Sequence, residues 1–504
     1  MAPQRRSRSR PRFPRVLDGQ QIRYHSGAAS MLFSSPEFIF LFLPVVVAVT
    51  YLIGVYSDFG AKLFLIVASA YFYTVSGLTD VIVLALSLLA NFALARAIER
   101  GRYARLFLAA GILFDVAVLG YFKYFNFITD TINTTFGREI AHGEFRHLPL
   151  AISFFTFQQI AFLIDVKRRN IERPNLLNYI FFLFFFPHLI AGPITSYLPI
   201  SRQIELKRVF TPRVRNICFG CALFAIGLAK KVLIADPLGN YVRPFFAMQS
   251  ELGIGTSWLA AFAYSFQIYF DFSGYSDMAI GLGMLFNIRL PLNFASPYKS
   301  HSIQEFWRRW HITLSNWLRD YVYISLGGNR RGGARTYLNL VATMLIGGIW
   351  HGAGWGFVLW GLMHGLALAA NRWYSRSSLP RLPASFAWPL TFLFVTVTWV
   401  LFRSANLSDA GVHLSAMVDL PSLATDSFRP FLDRAAFNRM MALVVFAGVL
   451  AFLAPTATMI AGATISPDRK IALRAAILAG ILFGMALVTF TGGTSTNDFI
   501  YFRF

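Results

Sequence analysis

Tyr337-Leu-Asn-Leu-Val-Ala-Thr-Met-Leu-Ile-Gly-Gly-Ile-Trp-His-Gly-Ala-Gly-Trp355 carries no Asp, Glu, Lys or Arg, yet it contains a histidine. A run of this length and composition reads as a helix at bilayer depth. Ionisable groups are costly there, and they face a cavity or a pathway. If the run is helical, the turn below His351 holds Gly347 and Gly348. A helical side chain leans over the turn N-terminal to its own Cα. The imidazole is therefore expected over two residues without side chains, beside an open slot. Gly352 and Gly354 predict that the helix breaks just beyond it. Two readings stand: a reaction centre, or a packed histidine bonded to a neighbouring carbonyl. A side chain that titrates near neutral pH keeps the first open.

The same texture runs through the chain. Of its 504 residues, 56% are hydrophobic and 14% charged, whereas a soluble domain carries roughly 25% charged residues. Apolar stretches recur at 37–56, 61–77, 79–98, 105–125, 148–166, 177–196, 216–235, 257–275, 336–350, 355–371, 386–403, 439–457 and 470–491. Residues 276–290 form a further, ambiguous apolar piece with Gly281 and Gly283. These are continuous runs rather than short alternating strands. They exclude a porin-like barrel and predict an all-α, polytopic membrane protein. The net charge is +22, much of it in short loops of the cytoplasmic kind. Such charge suits anionic membrane lipids, a phosphorylated donor or an acidic carrier protein. With no basic soluble domain, it does not suit nucleic acid. Cys218 and Cys221 have redox spacing but lie inside the apolar run 217–229. Without a βα context they read as two buried small residues. No metal-ligand spacing or nucleotide fingerprint appears, so no metal is expected.

Residues 1–30 interleave Arg with Ser and Pro and cannot bury a core. Met31 then opens straight into the first apolar span. The expected organisation is a basic disordered extension over 1–30, read as an artefact of start-codon choice, and one membrane domain over 31–504. Basic residues place 96–105, 167–173 and 201–215 in the cytoplasm and leave 129–147 outside. One crossing cannot begin and end on the same side. The segment 177–196, with Pro187 and Gly192–Pro193, is therefore expected to be re-entrant and to line the His351 cavity. Over 302–321, Ile303, Phe306, Trp310, Leu314, Trp317 and Tyr321 share one face at helical spacing. That predicts a single amphipathic helix in the interface, with His311 at the edge of its apolar stripe. Leu326-Gly-Gly-Asn-Arg-Arg-Gly-Gly333 is read as a solvated cytoplasmic loop able to attract phosphate. Asp271 and Asp277 sit in an apolar setting and need partners. Arg308, Arg309, Arg319 or a histidine are the candidates.

Several stretches together resemble the membrane-bound O-acyltransferase family, in the bacterial polysaccharide branch typified by the membrane subunit of alginate O-acetylation. They are Met31-Leu-Phe-Ser-Ser-Pro-Glu-Phe38, Ile152-Ser-Phe-Phe-Thr-Phe-Gln158, Ile190-Ala-Gly-Pro193, Gly227-Leu-Ala-Lys-Lys-Val232 and Phe270-Asp-Phe-Ser-Gly-Tyr-Ser-Asp-Met-Ala-Ile-Gly281. Phe306-Trp-Arg-Arg-Trp-His-Ile-Thr-Leu-Ser315, Leu326-Gly-Gly-Asn-Arg330, Gly348-Ile-Trp-His-Gly-Ala-Gly-Trp355 and Phe499-Ile-Tyr-Phe-Arg-Phe504 complete the set. The two histidine motifs together are specific. Leu292 departs from the Glu common in alginate-type members at this point, which bears on the acceptor.

The resemblance implies a ring of tilted helices, with re-entrant and interfacial pieces, around a thin catalytic centre. It implies that His351 is the catalytic histidine and His311 the second active-site position. The expected chemistry is transfer of an acyl group, acetyl above all, from a cytoplasmic thioester such as acetyl-CoA. The acceptor would be a hydroxyl of an exported polysaccharide or of a periplasmic partner protein. His351 would act as base, and His311 would orient the donor or assist the oxyanion. Arg330, Arg331 and Arg335 would guide the donor, no cofactor would be held tightly, and the site would lie in the bacterial inner membrane. D-alanyl or lipid acyl transfer is the nearer alternative. A transporter, whose intramembrane His and Asp relay protons, is the more distant one; no internal repeat supports it.

Overall fold

A computed structural model of the chain describes residues 31–75, 77–138, 140, 148–330, 332–491 and 499–500. The extension 1–30 and Arg331 lie outside the described residues. The architecture is helical, with no strand among the described residues. In chain order the helices are α1 (Leu43–Gly54), α2 (Asp58–Thr74), α3 (Leu78–Glu99), α4 (Ala104–Leu119), α5 (Phe125–Phe136), α6 (Ile152–Lys167) and α7 (Leu176–Phe184). There follow α8 (Phe186–Leu189), α9 (Tyr197–Ile204), α10 (Val214–Ala229), α11 (Asp236–Ala247), α12 (Ile254–Leu285), α13 (Ile303–Arg309) and α14 (Ile312–Trp317). The last are α15 (Gly333–His351), α16 (Trp355–Arg376), α17 (Ala384–Arg403), α18 (Leu407–Ala416), α19 (Arg434–Leu453), α20 (Ala457–Ala463) and α21 (Arg469–Thr491).

Every expected span falls at least in part on helix. Helices prevail because apolar surroundings offer backbone groups no partner outside the segment. Among the described residues, six helical runs are long and apolar enough to cross a membrane: Leu78–Glu99, Ala104–Phe136, Val214–Ala247, Ala384–Arg403, Arg434–Leu453 and Arg469–Thr489. Large apolar side chains such as Leu86, Val116, Leu390, Val445 and Leu473 point outward and are exposed. Faces of that kind belong against lipid tails, and the chain is a multi-pass membrane protein.

The ambiguous piece at 276–290 continues the preceding span. Both belong to α12, which is buried through most of its length. Its main neighbour is α10, which it meets through reciprocal glycines. A Cβ on Gly220 would come 2.7 Å from Gly281 O, and one on Gly274 would come 2.7 Å from Gly227 O. Small residues at such crossings let two backbones touch. This register sets Lys230 and Lys231 opposite the acidic residues of α12. Lys230 Nζ lies 2.6 Å from Asp277 Oδ2. Lys231 Nζ lies 2.6 Å from Asp271 Oδ1 and 2.7 Å from Asp236 Oδ1. The partners are therefore lysines of the adjacent helix, not the expected arginines. Arg309 pairs locally with Glu305 and Arg319 with Asp320. Asp271 Oδ2 also accepts the Ile500 N–H at 2.8 Å, tying the C-terminal segment to the core.

The same crossing corrects the reading of the cysteines. The glycine-bearing face of α10 is committed to α12, so Cys218 and Cys221 face outward, exposed and unbonded. The segment 177–196 is broken as expected, with α7 and α8 separated at Phe185 (φ −54°, ψ 103°) and Pro187 at the start of α8. It is almost wholly buried, where irregular backbone is tolerated.

Candidate active site

Helix α15 ends at His351, and Gly352 follows in extended conformation (φ −164°). Gly354 is also extended, and α16 starts at Trp355. The predicted break is present, but the predicted slot is not. A Cβ on Gly348 would lie 2.4 Å from Phe357 O and 2.9 Å from the Cα of Gly361. One on Gly347 would lie 3.0 Å from Leu318 Cδ1. The two glycines thus admit α16 and Leu318 rather than leave space. The His351 ring is 3% exposed and sits among aromatic rings. Trp350, Trp360 and Phe402 have centroids 5.0, 5.1 and 5.2 Å from it, Trp360 edge-on at 89°.

The stretch 302–321 is not one helix. Helix α13 is capped by the Ser302 hydroxyl, which accepts from the Glu305 N–H, and it stops at Arg309. Trp310 is extended, and His311 is left-handed (φ 43°, ψ 53°). Helix α14 then runs from Ile312, followed by a π-helical turn over Leu318–Tyr323. Neither Pro nor Gly causes the break. The returning loop after α12 holds it open: Ala295 N–H donates to Arg309 O (2.9 Å), and Ile312 N–H donates to Asn293 O (3.0 Å). The break turns His311 inward, fully buried, with Phe272 edge-on at 4.7 Å.

Asn293 fixes that imidazole. Its Oδ1 accepts from the Thr313 hydroxyl (3.0 Å) and backbone N–H (3.4 Å). Its amide nitrogen donates to Ser276 Oγ (3.2 Å). The same Oδ1 lies 3.1 Å from His311 Nδ1. Because Oδ1 is an acceptor in all these contacts, His311 Nδ1 carries the hydrogen and Nε2 keeps its lone pair. Thr313 Oγ1 in turn accepts the Ile194 N–H (3.0 Å). The broken 176–196 segment thus supports the His311 side of the site. Asn293 and Thr313 carry no periodic signal in the sequence; only the folded loop reveals them.

The two histidines predicted from the sequence come together, with ring centroids 6.5 Å apart. His364 is different. Its Nδ1 accepts from Trp307 Nε1 (3.2 Å), so its Nε2–H donates to Thr398 Oγ1 (3.0 Å). Both ring nitrogens are committed, which makes it a packing residue. The arginines are not part of this cluster. Arg330 and Arg335 are exposed near the opposite end of α15, with Arg335 roughly 24 Å from His351 along the helix at about 1.5 Å per residue.

Comparison with known proteins places the chain among acyltransferases. The model of the membrane-bound O-acyltransferase family matches residues 103–407, which include both histidines. The chain is 40% identical to a peptidoglycan O-acetyltransferase of Helicobacter pylori, over 83% of this chain and 86% of that protein. It is 44% identical to a probable alginate O-acetylase of Pseudomonas aeruginosa, over 77% of this chain and 75% of that one. A teichoic acid D-alanyltransferase of Streptococcus thermophilus is 30% identical over 44% of this chain and 56% of its own length.

Proposed function

The chain belongs to the membrane-bound O-acyltransferase family and is an acyltransferase, and from that premise we propose that it moves an acetyl group from a cytoplasmic thioester to a hydroxyl of an exported polysaccharide. The observation that carries this reading is the pair of buried imidazoles 6.5 Å apart at two helix breaks. His351 is the base. As the acceptor oxygen bonds to the thioester carbonyl carbon, the hydroxyl proton passes to His351, the C–S bond breaks, and the proton moves on to the leaving thiolate. His311 Nε2, as an acceptor, takes a hydrogen bond from a donor other than the reacting hydroxyl, such as an amide N–H of the donor's arm or a neighbouring sugar hydroxyl, and so orients the substrates. In its neutral Nδ1–H form it has no proton to offer an oxyanion, so orientation is the role its geometry favours.

The donor enters on the side of Arg330, Arg331 and Arg335. A reach of roughly 24 Å from that loop to His351 suits a thioester on a long arm, acetyl-CoA or an acyl carrier, rather than a compact donor. The acceptor is a polymer like those named for the relatives, peptidoglycan or alginate, or a periplasmic partner protein that completes the transfer. The setting is a bacterial inner membrane. D-alanyl transfer is the second reading, favoured only by the more distant relatives.

Mass spectrometry of envelope and secreted polymers, from cells with and without the protein, identifies both acyl group and acceptor. His351→Ala, at matched inserted protein, is expected to lower transfer by ~10²–10⁴-fold, the usual contribution of a general base. His311→Ala is expected to be milder. The reverse order would assign the base to His311, whose Asn293 bond equips Nε2 for that role; near-normal transfer in both variants would overturn the site.

A further inference from the structure

Lys123 is the only basic side chain between Arg105 and Arg138. It lies on a π-helical turn, Gly120–Tyr124, that joins α4 to α5. One extra residue in such a turn shifts the helical register, and π-turns often occur at functional sites. Here the shift directs two neighbouring side chains at the end of α15. Lys123 Nζ donates to Trp350 O (2.7 Å), to His351 O (3.1 Å) and to Ser153 Oγ (3.1 Å). Tyr124 OH donates to Ile349 O (2.5 Å).

The last four carbonyls of any helix have no partner within it. In α15 those carbonyls belong to residues 348–351, and Lys123 with Tyr124 takes three of them. The ring of Trp350 is held as well, by Nε1 donating to Ser153 O (3.0 Å) and by stacking on Phe157 (5.0 Å, 17°). Among the described residues no carboxylate lies within ion-pairing distance of Lys123. The ammonium is instead set against the C-terminal end of a helix, where a cation is favourable. Its three protons are all committed to these oxygens, which leaves none for a substrate.

We propose that Lys123 is a positioning residue for the acyl-transfer reaction, anchoring the terminal carbonyls of α15 so that the His351 imidazole stays in register with His311. This rests on the reading of His351 as the base. Lys123 touches no reacting atom; it ends the helix at a fixed place and so fixes the position of the catalytic ring. A misplacement of about 1 Å in a reacting geometry costs on the order of 10²-fold.

The test compares Lys123→Met, Lys123→Gln, Tyr124→Phe and His351→Ala in the full-length protein, purified in detergent, with donor and acceptor varied separately. Lys123→Met is expected to lose about 10–100-fold in kcat with little change in either KM. Lys123→Gln keeps N–H donors that reach the carbonyls without the charge, and it is expected to recover much of the rate. Tyr124→Phe removes one exposed bond and is expected to cost only a few-fold. A cryo-EM map of Lys123→Met is expected to show the His311–His351 separation wider than 6.5 Å. Unchanged kcat in a folded Lys123→Met overturns the proposal, as does a loss confined to donor KM. If the Met variant does not accumulate, Lys123→Gln decides: a folded Gln variant as inactive as His351→Ala means that the charge itself takes part in the chemistry, and positioning is wrong. Failure of the base assignment is separately visible, as activity retained in His351→Ala.

Discussion

Asn293 Oδ1 accepts three hydrogen bonds at once, from His311 Nδ1 and from the hydroxyl and N–H of Thr313. Removing that carboxamide releases the imidazole and leaves buried donors without an acceptor. Asn293→Ala is therefore expected to destabilise the protein by about 1–3 kcal/mol and to lower transfer through His311 alone. The check is a double-mutant cycle. If Asn293 acts through His311, the pair Asn293→Ala and His311→Ala should be no slower than His311→Ala by itself. A further loss in the double variant would give Asn293 a direct role. At this scale the sequence was legible where chemistry is conspicuous in its surroundings. His351 stood out because it interrupts an apolar run, and His311 through its motif. Asn293 did not stand out, because a polar residue in a loop has no periodicity to violate. Cys218 and Cys221 misled for a related reason: hydropathy gives the depth of a residue in the bilayer but not whether it faces protein or lipid. Both are exposed on the outer side of α10. Their joint change to Ala is expected to leave activity intact and to shift stability by no more than about 0.5 kcal/mol, read as transfer rate and thermal midpoint in detergent.

Helix α12 owes its position to two glycine contacts with α10, at Gly220–Gly281 and Gly227–Gly274. The equal spacing of the two pairs is visible in the sequence; that they meet is not. Enlarging Gly274 would drive a Cβ to 2.7 Å from Gly227 O and part the helices where Lys230 and Lys231 meet Asp277 and Asp271. Buried charges deprived of partners cost about 3–5 kcal/mol. Gly274→Leu is therefore expected to abolish the folded, monodisperse protein. Gly484→Ala on α21, where nothing lies within 4 Å, is expected to be neutral or slightly stabilising. Equal behaviour of the two variants on size exclusion would refute the contact. Most elements could be read because an apolar run in lipid has few ways to satisfy its backbone. The exception was 302–321, where a clean amphipathic stripe predicted one helix. The break at Trp310–His311 is imposed from outside by Asn293 and Ala295, which hold the two ends apart. A local pattern contains no trace of a strand-like contact made with a loop elsewhere in the chain.

Across the whole molecule the two ends of α15 face different surroundings. At its start, the stretch that leads into the 327–335 loop meets the basic 167–173 loop: Arg168 Nη2 donates to Asp320 O (3.2 Å) and reaches Ser325 Oγ (3.5 Å). At its other end, beyond His351, Trp355 packs against Phe127 of α5 (5.7 Å), whose turns as far as Phe136 make the first part of the expected 129–147 loop helical. Charge counting placed the first two loops in the cytoplasm and the third outside, and the packing is consistent with that division. Residues 139 and 141–147 of the outer loop lie outside the described residues. Under the proposed function, His351 would then sit nearer the outer face, close to an exported acceptor, and the donor arm would span the distance from the basic loop. Changing Arg330, Arg331 and Arg335 together to Gln is expected to raise the KM for the thioester several-fold and flatten its dependence on salt. Attraction by exposed charge is screened over about 8 Å at physiological ionic strength. The acceptor KM should not move if, as proposed, the acceptor approaches from the other side. The sidedness is tested by single cysteines at Thr135, Leu206 and Asn329, all exposed, in a background lacking Cys218 and Cys221. An impermeant thiol reagent applied to intact cells is expected to label position 135 alone. Labelling at 329 from outside would put the arginines on the acceptor's side, and a cytoplasmic thioester could not then be guided by them.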